Sequence, residues 1–341
     1  MASHIAHVEA AASSMSLTPF VTHDTHGTLG TSGSGTPEKF SVLMPVYAGD
    51  DPEHFRRAVR SATLEQTLRP DQLVVVRDGP VPASLARVID ELAAGGAGSA
   101  AGPVPATVVH LAKNRGLSHA LEAGLRACWH DIVARADADD INVPERFSVQ
   151  VPLVRAGADL VGSAITEFEE EGGPLGLTRR LPTEPEEIAA VARFRDPFNH
   201  PSVVYRRSAV VRAGGYRNLD LMEDYWLFVR MIISGAKVAN VPHSLVLYRV
   251  GGGAYSRRGG LRLLRSEWHL QRYLHRERFI GGRRLARNLL VRGVYRLVPE
   301  AVRKPVYRSV IKHRGEGPRR PVHRTHRGSH HGPTAAPTAS G

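Results

Sequence analysis

Cysteine is nearly missing from this chain. In 341 residues there is one, Cys128, so neither an intramolecular disulfide nor a cysteine-built metal site can form. Cys128 continues an apolar helical pattern with Leu121, Leu125 and Trp129, which reads as a buried structural thiol and suits a reducing compartment. Long apolar runs are missing too: nothing approaches the roughly 18 consecutive apolar residues of a membrane-spanning helix. The start, Met1-Ala2-Ser3-His4, lacks the basic cluster and apolar core of a secretory signal, and the expectation is a cytoplasmic protein. Gly251-Gly252-Gly253 is not followed by Gly-Lys-Ser/Thr, which excludes a phosphate loop there and leaves a hinge or lid. No internal repeat is present.

Acids are scarce at one end. From Arg249 to Gly341 there are four, against 22 Lys/Arg, a net of +18; the first 248 residues hold 23 bases and 29 acids, a net of −6. So strong a division points to a polyanionic partner for the C-terminal part: a membrane surface, nucleic acid or substrate. Residues 1–38 and 313–341 are polar and aperiodic and read as a disordered leader and a disordered basic tail. The histidines of the tail have no metal-ligand spacing.

Between the tails the pattern alternates strand and helix. Strands are expected at Phe40–Met44, Leu73–Val76, Val108–Leu111 and Ile132–Arg135, with helices opening at Pro52, near Ala83 and at Gly116. Short, wholly apolar strands separated by helices imply a Rossmann-like, mostly parallel sheet flanked by helices. Further on, strands are expected at 158–168, Pro201–Tyr205 and Leu245–Arg249. Helices are expected from Thr183, as N-cap, to Phe194 and from Glu223 to Ser234. Basic amphipathic helices follow at Leu261–Tyr273 and Arg283–Leu297. The division is a domain over 39–250 and a basic helical extension over 251–312.

What stands out is Asp137-Ala138-Asp139-Asp140 directly after the fourth strand. Three carboxylates in four positions repel one another, and a core has no use for them. Hard divalent cations take oxygen ligands, and one or two carboxylates suffice where the ion also binds a diphosphate. The competing reading is an acidic turn with Asp140 as helix cap. Three other strand ends also carry ligand chemistry. Pro45-Val46-Tyr47 can line a base or ribose; Asp78-Gly79 is either a base acceptor or an ordinary Asp-Gly turn; Asn114 stands in a loop facing ribose or phosphate, or merely precedes a helix. Open α/β sheets bind ligands at this rim.

The ordered set Ser41-Val42-Leu43-Met44-Pro45-Val46-Tyr47, Asp78-Gly79, Asn114-Arg115-Gly116-Leu117, Asp137-Ala138-Asp139-Asp140 and Glu223-Asp224 resembles family 2 glycosyltransferases, the inverting GT-A enzymes of bacterial polysaccharide assembly, over about Lys39 to Arg249. The resemblance implies that Asp78 contacts uracil, with Pro45 and Tyr47 shaping that pocket and Asn114 beside it. It makes Asp137 and Asp139 a DxD pair on Mg²⁺ or Mn²⁺ and the donor diphosphate, with Asp139 the direct ligand. Asp224 becomes the catalytic base, with Glu223 and Asn199-His200-Pro201-Ser202 on the acceptor side. Two positions depart from the family pattern: Arg77 stands where a second acid is common, and Ala48 where Asn is common. Both bear on uridine over thymidine. The Gln-x-x-Arg-Trp motif of processive polymerases is missing, so one sugar per encounter is expected.

For Glu223-Asp224 the alternative is a helix start favoured by the macrodipole, and for His200 a loop histidine. In the extension, Leu261, Leu264, Trp268, Leu285, Leu289 and Val291 interleave with Arg262, Arg265, Arg272, Arg283, Arg284 and Arg287. Such helices either lie on an anionic membrane, placing a lipid-linked saccharide acceptor within reach, or cap the domain. The expected enzyme is a peripheral one on the inner face of the cell membrane, with no nucleic acid partner. A nucleotidyltransferase acting on a sugar phosphate is the other enzyme class, disfavoured by the lack of an early glycine-rich phosphate loop. A nucleic-acid-binding protein working through the tail is the non-enzymatic reading, disfavoured by the lack of a recognisable module.

Overall fold

A computed structural model describes residues 37–95, 99–251 and 261–297. The expected leader up to residue 36, the tail from 313 and Gly252-Gly253 of the hinge lie outside the described residues.

The first half alternates β1 (Phe40–Val46), α1 (Pro52–Ala62), β2 (Gln72–Asp78), α2 (Ala83–Ala94), β3 (Ala106–Leu111), α3 (Leu117–Ala127) and β4 (Ile132–Arg135). Asp51 caps α1, its side chain accepting from Glu53 N and His54 N, and Pro52 supplies the fixed φ of a first helical position. β1 pairs in parallel with β2 on one side and with β4 on the other, and β2 pairs in parallel with β3. The chain therefore steps outward from β1 to β3 and then crosses back to β4. The gap between the ends of β1 and β4 is the switch point where such sheets hold ligands.

Period-two alternation divides the core. Val42 and Met44 face Phe55, Val59, Leu85 and Phe147, whereas Leu43 faces Leu121, Leu125 and Cys128 on the opposite side. Burial pushes the Cys128 thiol up to about 12, as expected of an inert packing residue.

The second half is built differently. It comprises β5 (Ile141–Asn142), α4 (Arg146–Arg155), β6 (Leu160–Phe168), β7 (Leu175–Arg179), α5 (Pro185–Ala192), a 3₁₀ turn (His200–Ser202), β8 (Val204–Arg206), α6 (Arg207–Arg212), α7 (Glu223–Ile233) and β9 (Val238–Arg249). The sheet runs β3-β2-β1-β4-β8-β6-β9-β5, with β7 on β6. β8 is antiparallel to β4 and β6, β6 is parallel to β9, and β5 and β7 pair antiparallel. The parallel pattern thus holds for the first four strands, and the sheet as a whole is mixed.

Two local expectations change. Pro201 has no N–H for a ladder, so the segment expected as a strand opens as a 3₁₀ turn and pairs only from Val204. Thr183 is not a cap: α5 starts at Pro185 after Glu184, and the Thr183 hydroxyl bonds the Glu184 carboxylate at 3.2 Å.

The extension forms α8 (Leu261–Arg276) and α9 (Gly282–Leu297). Leu263, Leu270, Leu274 and Ile280 join Met222, Tyr225, Trp226 and Val229 at α7 in one apolar cluster. Tyr273 stacks on Trp226 at 5.3 Å. Buried Glu267 accepts from Arg292 Nε at 2.6 Å, and Arg292 also donates to Phe194 O at 2.7 Å. The extension therefore packs on the back of α7. Its outward side keeps Trp268, Leu290, Val291, Arg283 and Arg284 exposed. No helix among the described residues is long and apolar enough to cross a membrane.

Candidate active site

At the end of β2, the Asp78 carboxylate accepts from Arg115 N at 2.8 Å and Gly116 N at 2.9 Å. It clamps this strand end to the start of α3. Gly79 follows at φ +87°, where a Cβ would lie 2.5 Å from Asn114 N. The Asp-Gly turn is real, and it brings Asp78 and Asn114 together. Each Asp78 oxygen keeps a second lone pair. Pro45 is paired in register with Val76, next to the end of β2. Tyr47 is 44% exposed, and its ring lies over Gly49, where a Cβ would come within 2.6 Å.

Across the switch point, Asp137, Asp139 and Asp140 offer oxygens that all lie within 4.8 Å of one another. Asp140 is not a helix cap. Its Oδ1 accepts from Arg249 N of β9 at 2.8 Å, and its Oδ2 is buried without a partner. Burial, followed by the Asp137 charge, pushes Asp139 up to about 6. Burial, Asp137 and Asp139 together raise Asp140 well above the carboxylate range. Crowded oxygen donors of this kind, one of them orphaned, fit a hard divalent cation. Arg249 braces the cluster, donating to Asp139 O at 2.9 Å while its guanidinium lies 4.4 Å over the Phe168 ring.

Arg135, the last residue of β4, is 3% exposed and forms an ion pair with the Asp137 carboxylate. Its backbone is fixed by Val203 O, which accepts from Arg135 N at 2.9 Å, and by Arg146 Nη2, which donates to Arg135 O at 2.7 Å. Its Nε and Nη1 have no partner. This charge acts on Asp139 and Asp140 on one side and on His200, Tyr216, Glu223 and Asp224 on the other.

Glu223 and Asp224 open α7 beyond that guanidinium. Asp224 Oδ1 accepts from Tyr225 N at 2.7 Å, and Oδ2 lies 3.6 Å from His200 Nδ1. Burial raises Asp224, while the Tyr225 N–H and Arg135 oppose the rise. Burial and then Asp224 push Glu223 up to about 7. His200 is buried in its 3₁₀ turn, which is tied to β6: Ser163 N donates to Ser202 Oγ at 3.0 Å, and Asn199 Nδ2 donates to Ser163 O at 2.9 Å.

Two carboxylate sets therefore flank one buried cation at a switch point of an α/β sheet, in the residue order noted in the sequence. Residues 41–215 match the family model described as Glycosyl transferase family 2. The chain belongs to this family. It is a glycosyltransferase.

Relatives align over nearly their whole length. The amylovoran biosynthesis glycosyltransferase AmsE of Erwinia amylovora is 38% identical over 79% of this chain and 97% of that protein. The UDP-Gal:alpha-D-GlcNAc-diphosphoundecaprenol beta-1,3-galactosyltransferase of Escherichia coli is 34% identical over 80% of this chain and 97% of that protein. Among solved structures, S. aureus TarS 1-349 in complex with UDP-GlcNAc superimposes with a TM-score of 0.55 at 14% identity, covering 76% of this chain and 72% of that one. That likeness concerns the fold, which is GT-A.

Three residues of this glycosyltransferase's site escape a reading by motif. Arg135 was available as a charge ending an otherwise apolar strand. Tyr216 follows Gly214-Gly215, a turn signal. Asp196, half-buried and raised well above the carboxylate range by desolvation and by Asp224, carries no local signal.

Proposed function

We propose that this glycosyltransferase moves one sugar from a nucleotide diphosphate sugar, a UDP-sugar, to a hydroxyl of a lipid-linked saccharide. The transfer inverts the anomeric centre, uses Mg²⁺ or Mn²⁺, and serves cell-surface or exopolysaccharide assembly. The observation that carries this reading is the meeting of an Asp137-Asp139-Asp140 cluster and a separate Asp224 carboxylate around the single guanidinium of Arg135. The names of the galactosyltransferase and amylovoran relatives support the donor class, the lipid diphosphate acceptor and the polysaccharide setting.

Asp137 and Asp139 would hold the ion, with the orphaned Asp140 oxygen beside them. When bound, the ion neutralises charge growing on the leaving diphosphate. Pro45, Tyr47, Asp78 and Asn114 form the donor pocket, Asp78 chiefly by fixing the loop that carries Asn114. His200 and Glu223 lie on the acceptor side. Asp224 takes the proton of the acceptor hydroxyl as its oxygen bonds the anomeric carbon. The bond from that carbon to the diphosphate oxygen breaks on the opposite face, and the electron pair leaves with the nucleotide. General-base help of this kind is worth about 10²–10⁴-fold. A carboxylate whose pKa is raised above the ordinary Asp value is better matched to that task.

The GT-A domain of residues 39–250 works with an extension over 251–312, of which the helices α8 and α9 pack on α7. The exposed Trp268, Arg283 and Arg284 support a face for an anionic leaflet, in keeping with a peripheral enzyme on the inner face of the cell membrane.

The deciding experiment supplies Mn²⁺, a lipid-linked saccharide acceptor and a panel of UDP-, dTDP- and GDP-sugars, and follows nucleotide release and the anomeric configuration of the product. UDP release with inversion is expected. No release with any donor would sink the reading.

A further inference from the structure

His200 is 6% exposed, and its ring is held edge-on by Phe228, centroids 5.8 Å apart. Both of its nitrogens are spoken for. Nε2 lies 3.0 Å from the Tyr216 hydroxyl, and Nδ1 lies 3.6 Å from Asp224 Oδ2. Burial, reinforced by the nearby Arg135 charge, drives the imidazole pKa well below its ordinary value, so the ring is neutral. A neutral imidazole has one N–H and one lone pair. An ionised carboxylate only accepts, so the N–H belongs on Nδ1 and Nε2 must accept from Tyr216. Burial raises the Tyr216 phenol well above its ordinary range, which keeps that proton in place. The 3.6 Å gap is longer than a hydrogen bond, as catalytic contacts often are before substrate tightens them.

Tyr216 reaches this position through a turn the fold constructs for it. Gly214 and Gly215 have φ of +83° and +68°, where side chains are strained. Arg230 donates to Ala213 O at 2.5 Å and to Gly215 O at 2.7 Å, and Tyr216 N donates to Glu122 Oε1 at 2.5 Å. A Cβ on Gly215 would come within 2.4 Å of that Glu122 oxygen.

We propose that Tyr216 and His200 are positioning residues behind Asp224. The chain Tyr216 O–H to His200 Nε2, then His200 Nδ1–H to Asp224 Oδ2, locks the tautomer and turns the carboxylate toward the acceptor hydroxyl. The Tyr225 N–H holds the other oxygen, Oδ1, from the helix side. The inference deepens the proposed function and rests on Asp224 being its base.

The test compares Tyr216→Phe, which removes one oxygen, with His200→Asn, which keeps a donor toward Asp224, and His200→Phe, which keeps none. All are measured in the full chain. Expected is a fall in kcat of about 10-fold for Tyr216→Phe and about 100-fold for His200→Phe, with His200→Asn between wild type and His200→Phe. Donor KM and UDP affinity should stay within about twofold. Losing the imidazole N–H also destabilises the Asp224 anion, so the acid limb of the kcat/KM profile should move to higher pH. The groups facing that anion are Arg135, Asp137, Asp196, Glu223, Tyr216 and the Tyr225 N–H, and the variants alter only the His200–Tyr216 side. Unchanged kcat in Tyr216→Phe and His200→Phe would overturn the proposal. So would a fall in kcat with the acid limb unmoved, which would assign both residues to packing. Asp224→Asn, assayed beside them, separates the two readings: if it transfers sugar at the wild-type rate, the base assignment itself is what failed.

Discussion

The two halves of the sheet solve the same problem, holding a carboxylate in a fixed place, by different means. In the parallel half, the end of β2 is tied to the loop that follows β3. Asp78 gripping Arg115 N and Gly116 N shows the pattern. In the mixed half, Asp224 faces groups from separate elements: His200 from the 3₁₀ turn before β8, 3.6 Å away, with Tyr216 from the turn after α6 bonded behind it, and the Arg135 charge from the end of β4. The turn at Asp78 depends on a strand end gripping the backbone of the next strand's loop, whereas Asp140 on Arg249 and Asp224 beside His200 depend on polar contacts between more distant segments. Buried charges without full partners are costly, so their gathering at Arg135 and Asp224 marks the place where the fold trades stability for chemistry.

The most severe test of that contrast is Asp224→Asn. It removes the proposed base and leaves the residues proposed for the donor unchanged. The transfer rate should fall by about 10²–10⁴-fold, while UDP-sugar binding measured by calorimetry stays as in the wild type. Loss of donor binding along with the rate would mean that the two halves are not separable.

Asp139→Ala makes the converse cut. The Mn²⁺-dependent part of donor binding should vanish, because one of three oxygen donors grouped within 4.8 Å is gone. The α7 helix and its cap should be undisturbed, and an unaltered circular dichroism spectrum would confirm that. Donor binding that keeps its full metal dependence would move the ion away from this cluster.

How far these two halves were legible in the sequence follows from the same difference. Leu73-Val74-Val75-Val76 and Ile132-Val133-Ala134 are continuous apolar runs, as strands buried on both faces must be. The first residue group after each such run is by construction on the rim. Asp78, Asn114 and Asp137 were therefore readable as a set from order alone. The competing reading of Asp140 as a cap could not be settled locally, because its partner, Arg249 N, lies 109 residues downstream. The contact between His200 and Asp224 was invisible for a similar reason: β8, α6 and the Gly214-Gly215 turn intervene, and their packing carries no periodic signal. The extension offered a further ambiguity, cap or membrane face. Leu263, Leu270 and Leu274 point into the cluster with Trp226, whereas Trp268 and the nearby arginines point outward. The inward side makes the cap, and the outward side stays exposed.

That outward face yields a smaller effect. Deleting the extension would strip the back of α7 and confound the result, so the informative change is Arg283→Ser with Arg284→Ser, both exposed. At about 1 kcal/mol per basic residue near an anionic surface, binding to phosphatidylglycerol vesicles in a sedimentation assay should weaken by roughly 30-fold at low salt. The difference should shrink as salt is raised, and nucleotide release from soluble substrates should not change. Equal vesicle binding by the variant and the wild type would leave the extension as a cap alone.

The smallest effect lies on the seam between the halves. Asp139 is pushed up to about 6 and Asp140 well above the ordinary carboxylate range, chiefly by burial and then by like charge. An ion must displace those protons to bind. Mn²⁺ affinity, read from the free-ion electron paramagnetic resonance signal, should therefore rise as pH climbs through 6. Asp139 alone accounts for a roughly fourfold gain between pH 5.5 and 7.5. Stability without metal should move the other way. The folded state retains protons that the unfolded chain has already released above its ordinary carboxylate pKa, so folding is favoured less as pH rises from about 4 through 6. Added Mn²⁺ should flatten that slope, because the ion replaces the protons on the same oxygens. An affinity independent of pH would detach Asp139 and Asp140 from the ion. The cluster would then be an electrostatic counterpart to Arg135, belonging to the acceptor half of the molecule rather than the donor half.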